Sequence, residues 1–151
     1  MANHTSSHYP DIGALGEDLV TKWLQSNDWK ILHRRWHCRW GEIDIIAEKE
    51  DDSHTAILAF VEVKTRSPGN WDAGGRMAIA PPKQAKLCRT ATMFLAKCPQ
   101  KADYYCRFDV AIVCCQRKIT LTNSIASLST SGLYLTLQEY IPAAFEYLID
   151  N

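Results

Sequence analysis

The sequence predicts an α/β domain, a central mixed β-sheet flanked by helices, in the order αβββαβ with a C-terminal extension. Three observations carry this. Residues 12–26 set Ile12, Leu15, Leu19, Val20, Trp23 and Leu24 at helical spacing. Residues 41–66, GEIDIIAEKEDDSHTAILAFVEVKTR, hold two strand-like runs joined by a polar link. The second run is nearly all apolar, as in a strand covered on both faces. A further helical stretch opens at Pro81 and is followed by another long strand-like run.

With 151 residues and a 46% apolar fraction, the chain is long enough to bury about two-thirds of its unfolded surface as one globular domain. Seventeen basic and seventeen acidic residues balance to zero. That excludes a protein wrapped in basic surface for indiscriminate nucleic-acid binding. The distribution is nonetheless polarised. Residues 29–40 hold Lys30, Arg34, Arg35 and Arg39 without an acid, and residues 63–102 hold eight basic residues against Asp72 alone. The acids gather between Glu42 and Asp52. Two readings fit this: an acidic pocket rimmed by basic segments that receives a phosphate backbone, or solvated basic faces on a helix and an edge strand. The opening residues lack an apolar signal segment, and no run reaches the length of a membrane span. A cytoplasmic location and no membrane partner are therefore expected. The six cysteines form no Cys-x-x-Cys pair and are expected as buried or inert thiols, which disfavours a thiol-based redox protein.

Taken in order, residues 1–10 are polar and expected as a flexible N-terminal tail, with residues 11–151 as a single domain. Asp11 is suited to cap the helix over 12–26, and Asn27-Asp28 to end it. Glu17 lies at the margin of the apolar stripe. Its carboxylate needs a partner, either a metal site or a basic side chain. Residues 29–38 read as a strand in which Ile31, His33, Arg35 and His37 oppose Leu32, Arg34, Trp36 and Cys38. Arg34 and Arg35 are candidates for nucleic-acid contact; an edge strand guarded by charge is the alternative. His33, His37 and Cys38 also suggest zinc, but four residues of extended strand span about 13 Å, too far for two ligands on one ion without a bend.

In residues 41–46, alternation puts Glu42, Asp44 and Ile46 on one face and Ile43, Ile45 and Ala47 on the other. In the following strand Glu62 and Lys64 share a face, opposite Val61 and Val63. Residues 67–75 form a glycine-rich loop without the order of a phosphate-binding P-loop. Pro81-Pro82 opens a helix reaching residue 97, with Leu87, Ala91, Phe94 and Leu95 inward. Lys83 in its first turn adds charge beside amides that can meet a phosphate. Residues 104–115 read as a strand whose Arg107 and Asp109 form a buried or half-buried ion pair. A short strand over 117–121, a Ser/Thr-rich loop over 122–132, a strand over 133–138 and a short helix over 141–149 complete the chain.

If the two runs of 41–66 pair as antiparallel neighbours, Asp44, Glu62 and Lys64 converge at one edge of the sheet. Two carboxylates suit a hard divalent ion such as Mg²⁺, which takes one or two protein carboxylates plus water and phosphate. A lysine beside them can orient or deprotonate a water, or neutralise charge on a phosphate. The set fits hydrolysis of a phosphodiester.

Asp44 followed by Glu62-x-Lys64 resembles the motif of the PD-(D/E)XK nuclease superfamily. The nearer resemblance is to the YraN family of small bacterial proteins, themselves similar to archaeal Holliday-junction resolvases. It rests on Leu15-Gly16-Glu17, Gly41-Glu42-Ile43-Asp44, Phe60-Val61-Glu62-Val63-Lys64-Thr65-Arg66, Lys83-Gln84, Arg107-Phe108-Asp109-Val110 and, weakly, Ala144-Phe145. The sequence departs from the family pattern at Met77, where an acidic residue is common. The resemblance implies a restriction-endonuclease-like core and a metal-dependent nuclease, with Mg²⁺ or Mn²⁺ as cofactor and nucleic acid, foremost branched or processed DNA, as substrate. It implies Asp44 and Glu62 as metal ligands, with the Val63 carbonyl and Glu17 completing the set. Lys64 would assist the attacking water, with Gln84 in support and Arg34, Arg35, Arg66 and Lys83 along the nucleic acid. Junction-cutting relatives act as two-fold pairs, so a homodimer is implied as well. The alternative is a non-catalytic nucleic-acid-binding module, or a complex component, that keeps the fold without turnover.

Overall fold

The computed structural model describes residues 11–68, 79–117 and 123–146. The elements are helix α1 (Ile12–Ser26), strands β1 (Lys30–Cys38), β2 (Gly41–Glu50) and β3 (Ala56–Arg66), helix α2 (Pro81–Lys97), and strands β4 (Tyr105–Gln116), β5 (Ala126–Thr130) and β6 (Leu133–Phe145). The strands form one mixed sheet in the order β1-β2-β3-β4-β6-β5. Only β3 and β4 run parallel, joined through α2; every other neighbouring pair is antiparallel. This is an α/β fold consistent with a nuclease-like core.

Period-two alternation in the central strands builds three layers. In β3, Ile57, Ala59 and Val61 join Leu19, Val20 and Leu24 of α1. Leu58 and Phe60 of the same strand join Leu87, Ala91 and Phe94 of α2 on the opposite face. Strand β4 divides in the same way, Ala111, Val113 and Cys115 against Phe108, Val110 and Ile112. Because β3 and β4 are covered on both faces they read as apolar runs. Helix α1 begins as expected: the Asp11 carboxylate accepts from the Ala14 amide at 3.0 Å. It docks on the sheet through Gly16, where an added Cβ would collide with the Thr65 hydroxyl of β3.

Several expectations need correction. Residues 141–145 are strand, not helix. Phe145 pairs with Phe108 and stacks on it with ring centroids 4.7 Å apart, and Ile141 pairs with Val110. Pairing to the buried β4 outweighs the local helical spacing. Pro142 lies where the ladder shifts register between Phe108 and Val110, the sort of site a residue without an amide N–H tolerates. The Ser/Thr-rich stretch holds β5, whose exposure alternates residue by residue beside β6. In β1 strict alternation fails. The register shifts between Ile31 and His33, and Arg35 adopts φ +53° inside the strand. His33 and Trp36 therefore both meet the ring of Phe94 in α2, although simple alternation sets them on opposite faces. The tail over 1–10, the loop positions 69–75, Met77, residues 118–121 and the end of the expected helix lie outside the described residues. Among the described residues no helix is long and apolar enough to cross a membrane.

Candidate active site

The site begins where a ladder ends. Strands β2 and β3 pair from Glu50↔Ala56 to Ile45↔Val61 and then stop. One residue further, Asp44 replaces backbone with side chain, its Oδ2 accepting from the Val63 amide at 2.7 Å. The faces of β2 change at the same point. Ile43 and Ile46 enter the core under α2, while Ile45 and Ala47 enter the core under α1. Ile43 and Ile46 thus share the α2 side, where alternation would separate them, and Asp44 lies at that break. In β3, Val63 packs on the α1 side, so Glu62 and Lys64 face the α2 side beside Val110 and Ile112 of β4.

Two carboxylates are thus held close together in a half-buried setting. The Glu62 side chain is 16% exposed, and its Oε1 lies 4.0 Å from Lys83 Nζ at the start of α2. Its Oε2 is buried with no hydrogen-bond partner among the described residues. Burial, and then repulsion from Glu62, push the Asp44 carboxyl up to about 7 from its ordinary 3.8, against the opposing pull of the Val63 amide. Burial likewise raises Glu62, although Lys83 and Lys64 draw it down. Exposed Glu42 adds a further negative charge to both.

The remaining candidates fall at different distances from this pair. Glu17 is buried on α1, and its charge is felt by both carboxylates. Its own partner is Arg35, whose Nε donates to Oε2 at 3.0 Å. Arg34 pairs with Asp18 at 2.8 Å. The left-handed backbone at Arg35 lets successive arginines both turn to α1, so these two side chains tie β1 to the helix while remaining partly exposed. Gln84 donates from Nε2 to the Ile79 carbonyl at 2.9 Å, fixing the segment that enters α2. Arg66, at the end of β3, continues the face of Glu62 and Lys64. Among the described residues, no group of three or more His, Cys, Asp or Glu side chains is gathered as a metal cluster. The donor set here is two hard carboxylates, one with a buried orphan oxygen. Such a set fits a small divalent cation whose remaining ligands are water and phosphate. The six cysteines are unpaired, and burial raises the Cys106, Cys114 and Cys115 thiols, opposite to a reactive thiolate.

The sequence profile of Uncharacterised protein family UPF0102 matches residues 16–113. The chain belongs to the UPF0102 family. This is the YraN family that the motifs suggested. A UPF0102 protein of Trichormus variabilis is 58% identical over 147 residues, covering 93% of this chain and 97% of its own. One from Nostoc sp. is 60% identical over 140 residues, covering 92% and 96%. A third, from Synechocystis sp., is 44% identical, covering 89% and 97%. The span matched to UPF0102 holds Glu17, Asp44, Glu62, Lys64, Lys83 and Gln84, and stops before β5 and β6.

Two features of the site escaped sequence reasoning. Asp44 leaves the ladder, which pairwise alternation cannot show. Arg39 and Trp40 form the two-residue link between β1 and β2, with Cys38 paired to Gly41. The signal for that link was present, since Gly41 follows the basic strand directly.

Proposed function

We propose that this UPF0102 protein is a metal-dependent nuclease that hydrolyses phosphodiester bonds, with DNA as the foremost substrate. The observation that carries the reading is the incompletely compensated acid pair. Burial and then repulsion from Glu62 drive Asp44 toward protonation, burial drives Glu62 the same way despite Lys83 and Lys64, and Glu62 leaves a buried oxygen unbonded. Such a pair in itself weakens a fold, because half-buried carboxylates whose oxygens are only partly satisfied are destabilising. A divalent cation resolves both problems, and the chemistry it would supply is polarisation of a phosphate oxygen and of a water.

The chain's own residues divide the remaining work. Asp44 and Glu62 would hold the cation, with the Val63 carbonyl as a further ligand, while Glu17, engaged by Arg35, would contribute its negative charge rather than a direct bond. Lys64, on the Glu62 face, assists the attacking water and offsets negative charge that accumulates at phosphorus. Lys83 meets the incoming phosphate through its ammonium alone, because Pro81 and Pro82 carry no N–H and the Lys83 and Gln84 amides donate to the Ala80 carbonyl. Arg66 extends that cationic edge, and Gln84 keeps the start of α2 in place. Arg34 and Arg35 act from the flank, where each already carries an α1 carboxylate.

The test is cleavage of end-labelled single-stranded, duplex, flapped and four-way-junction DNA, with RNA controls, in Mg²⁺, Mn²⁺ and chelator. Glu62→Ala and Lys64→Ala are expected to lose cutting while remaining folded. Wild-type cleavage that persists in both variants would overturn the assignment. Binding without cutting under every metal would transfer it to a non-catalytic nucleic-acid-binding module.

A further inference from the structure

The link between β1 and β2 has a composition its turn geometry does not explain. Two-residue hairpin links favour Asn, Asp and Gly, because the backbone must turn sharply. Here the link is Arg39-Trp40, with the relaxed backbone position falling on Gly41 at φ +152°. The Trp40 side chain is 38% exposed, one of three large hydrophobic residues left exposed among the described residues. Two guanidiniums lie against it. The Arg39 guanidinium carbon is 4.9 Å from the indole centroid and that of Arg89, from α2, is 5.2 Å away. The hairpin abuts α2 at this point, since a Cβ on Gly41 would stand 3.2 Å from the Thr90 hydroxyl.

This cluster is not isolated from the acid pair. Trp40 precedes Asp44 by four residues, about 13 Å along an extended strand. Along α2, exposed Lys83, Lys86 and Arg89 follow at three-residue intervals, and six residues of helix span about 9 Å. The line starts at Lys83, 4.0 Å from Glu62, and ends at Trp40. Cations spaced along such a line match a chain of phosphates, and an exposed indole among guanidinium planes matches an unstacked base. Duplex bases are already stacked and offer no such face.

We propose that Trp40, with Arg39 and Arg89, receives an unpaired nucleotide of a single-stranded nucleic acid and so directs strands with unpaired ends or branches to the Asp44–Glu62 pair. The assignment deepens the nuclease reading and rests on it for the direction of the strand. Stacking supplies the preference for unpaired bases, and the cations supply affinity without sequence choice.

The experiment is equilibrium binding by fluorescence anisotropy in the Glu62→Ala background, so that cutting does not interfere. The probes are a labelled blunt duplex, the same duplex with a single-stranded extension, and the single strand alone, each as DNA and as RNA. Trp40→Ala is expected to weaken binding of the extended duplex and the single strand by about 5- to 100-fold. Blunt duplex should change by no more than about twofold, and Trp40→Phe should restore most of the loss, because a phenyl ring still stacks. Arg89→Gln should lower the salt dependence of binding by about one phosphate contact. An unchanged thermal midpoint for Trp40→Ala would show that the exposed position is not needed for folding. Equal losses on blunt and extended probes, or no loss on either, would overturn the proposal. Trp40-dependent preference in a protein that never cuts would sink the nuclease reading and leave the platform standing. Glu62-dependent cutting with indifference to Trp40 would do the reverse.

Discussion

The same sheet buries acids at two places and treats them in opposite ways. Asp109, in the middle of β4, is completely buried. Arg107 donates to both of its oxygens at 3.0 and 3.2 Å, the Tyr140 hydroxyl donates at 2.6 Å, and the Ala143 amide donates at 2.9 Å. Ala143 takes φ +50° at that point, and the strained turn of β6 brings its amide to the carboxylate. Burial and the Asp109 charge hold Tyr140 far above its ordinary range, so it donates at any accessible pH. Arg107 also lies over the Trp29 ring at 5.2 Å. Asp44 by contrast accepts from a single backbone amide, and Glu62 has Lys83 Nζ 4.0 Å from one oxygen while its other oxygen is buried without a hydrogen bond. The contrast separates a carboxylate that organises the fold from a pair that the proposed function assigns to a cation. Satisfied buried networks rigidify a sheet; unsatisfied ones mark function.

Substitutions at the two places should therefore move stability in opposite directions. The largest effect belongs to Asp109→Ala, which leaves a buried guanidinium and a buried hydroxyl without their acceptor. It should cost about 3–5 kcal/mol in urea unfolding and produce little folded protein at moderate temperature. A change below about 1 kcal/mol would erase the distinction between the sites. Next comes Asp44→Asn, which keeps an acceptor for the Val63 amide and removes the charge. In metal-free protein at mildly alkaline pH it should stabilise the fold by up to about 4 kcal/mol, since each of the roughly three units between 3.8 and about 7 is worth about 1.4 kcal/mol. The smallest effect is Tyr140→Phe, which removes one of three donors to Asp109 and should cost about 1–2 kcal/mol with the fold intact.

The two acid sites were not equally legible in the sequence. The Arg107–Asp109 pair followed from two charges on one face of an apolar run, but Tyr140 and Ala143 come from a strand pairing 31 and 34 residues away. No local pattern encodes that register. Glu62 and Lys64 were legible because β3 alternates regularly between two covered faces. In β2 alternation sets Ile43 with Ile45, but Ile43 enters the opposite core with Ile46, because the break beside Asp44 depends on where the β3 ladder stops. In β1 the reading of Arg34 and Arg35 as outward groups missed α1, whose Asp18 and Glu17 capture them across the fold. Helices α1 and α2 were read with their observed bounds because capping residues and prolines mark them locally. The sequence predicts helix from Ile141, where tertiary pairing within β6 overrides a short amphipathic pattern.

The central claim is that the Asp44–Glu62 pair lacks a cation rather than a fold partner, and one comparison addresses it directly. Urea unfolding of wild type and Asp44→Asn is followed from below pH 4 to above pH 7, with and without saturating Mg²⁺. Folding raises the Asp44 pKa, so its protonated form is favoured in the fold; that advantage is complete below about 3.8 and is lost as pH rises to about 7. Metal-free wild type should thus fall progressively below the variant across that window. Mg²⁺ should close the gap by binding the folded wild type alone. A gap that stays flat with pH, or one that Mg²⁺ leaves unchanged, would contradict the account.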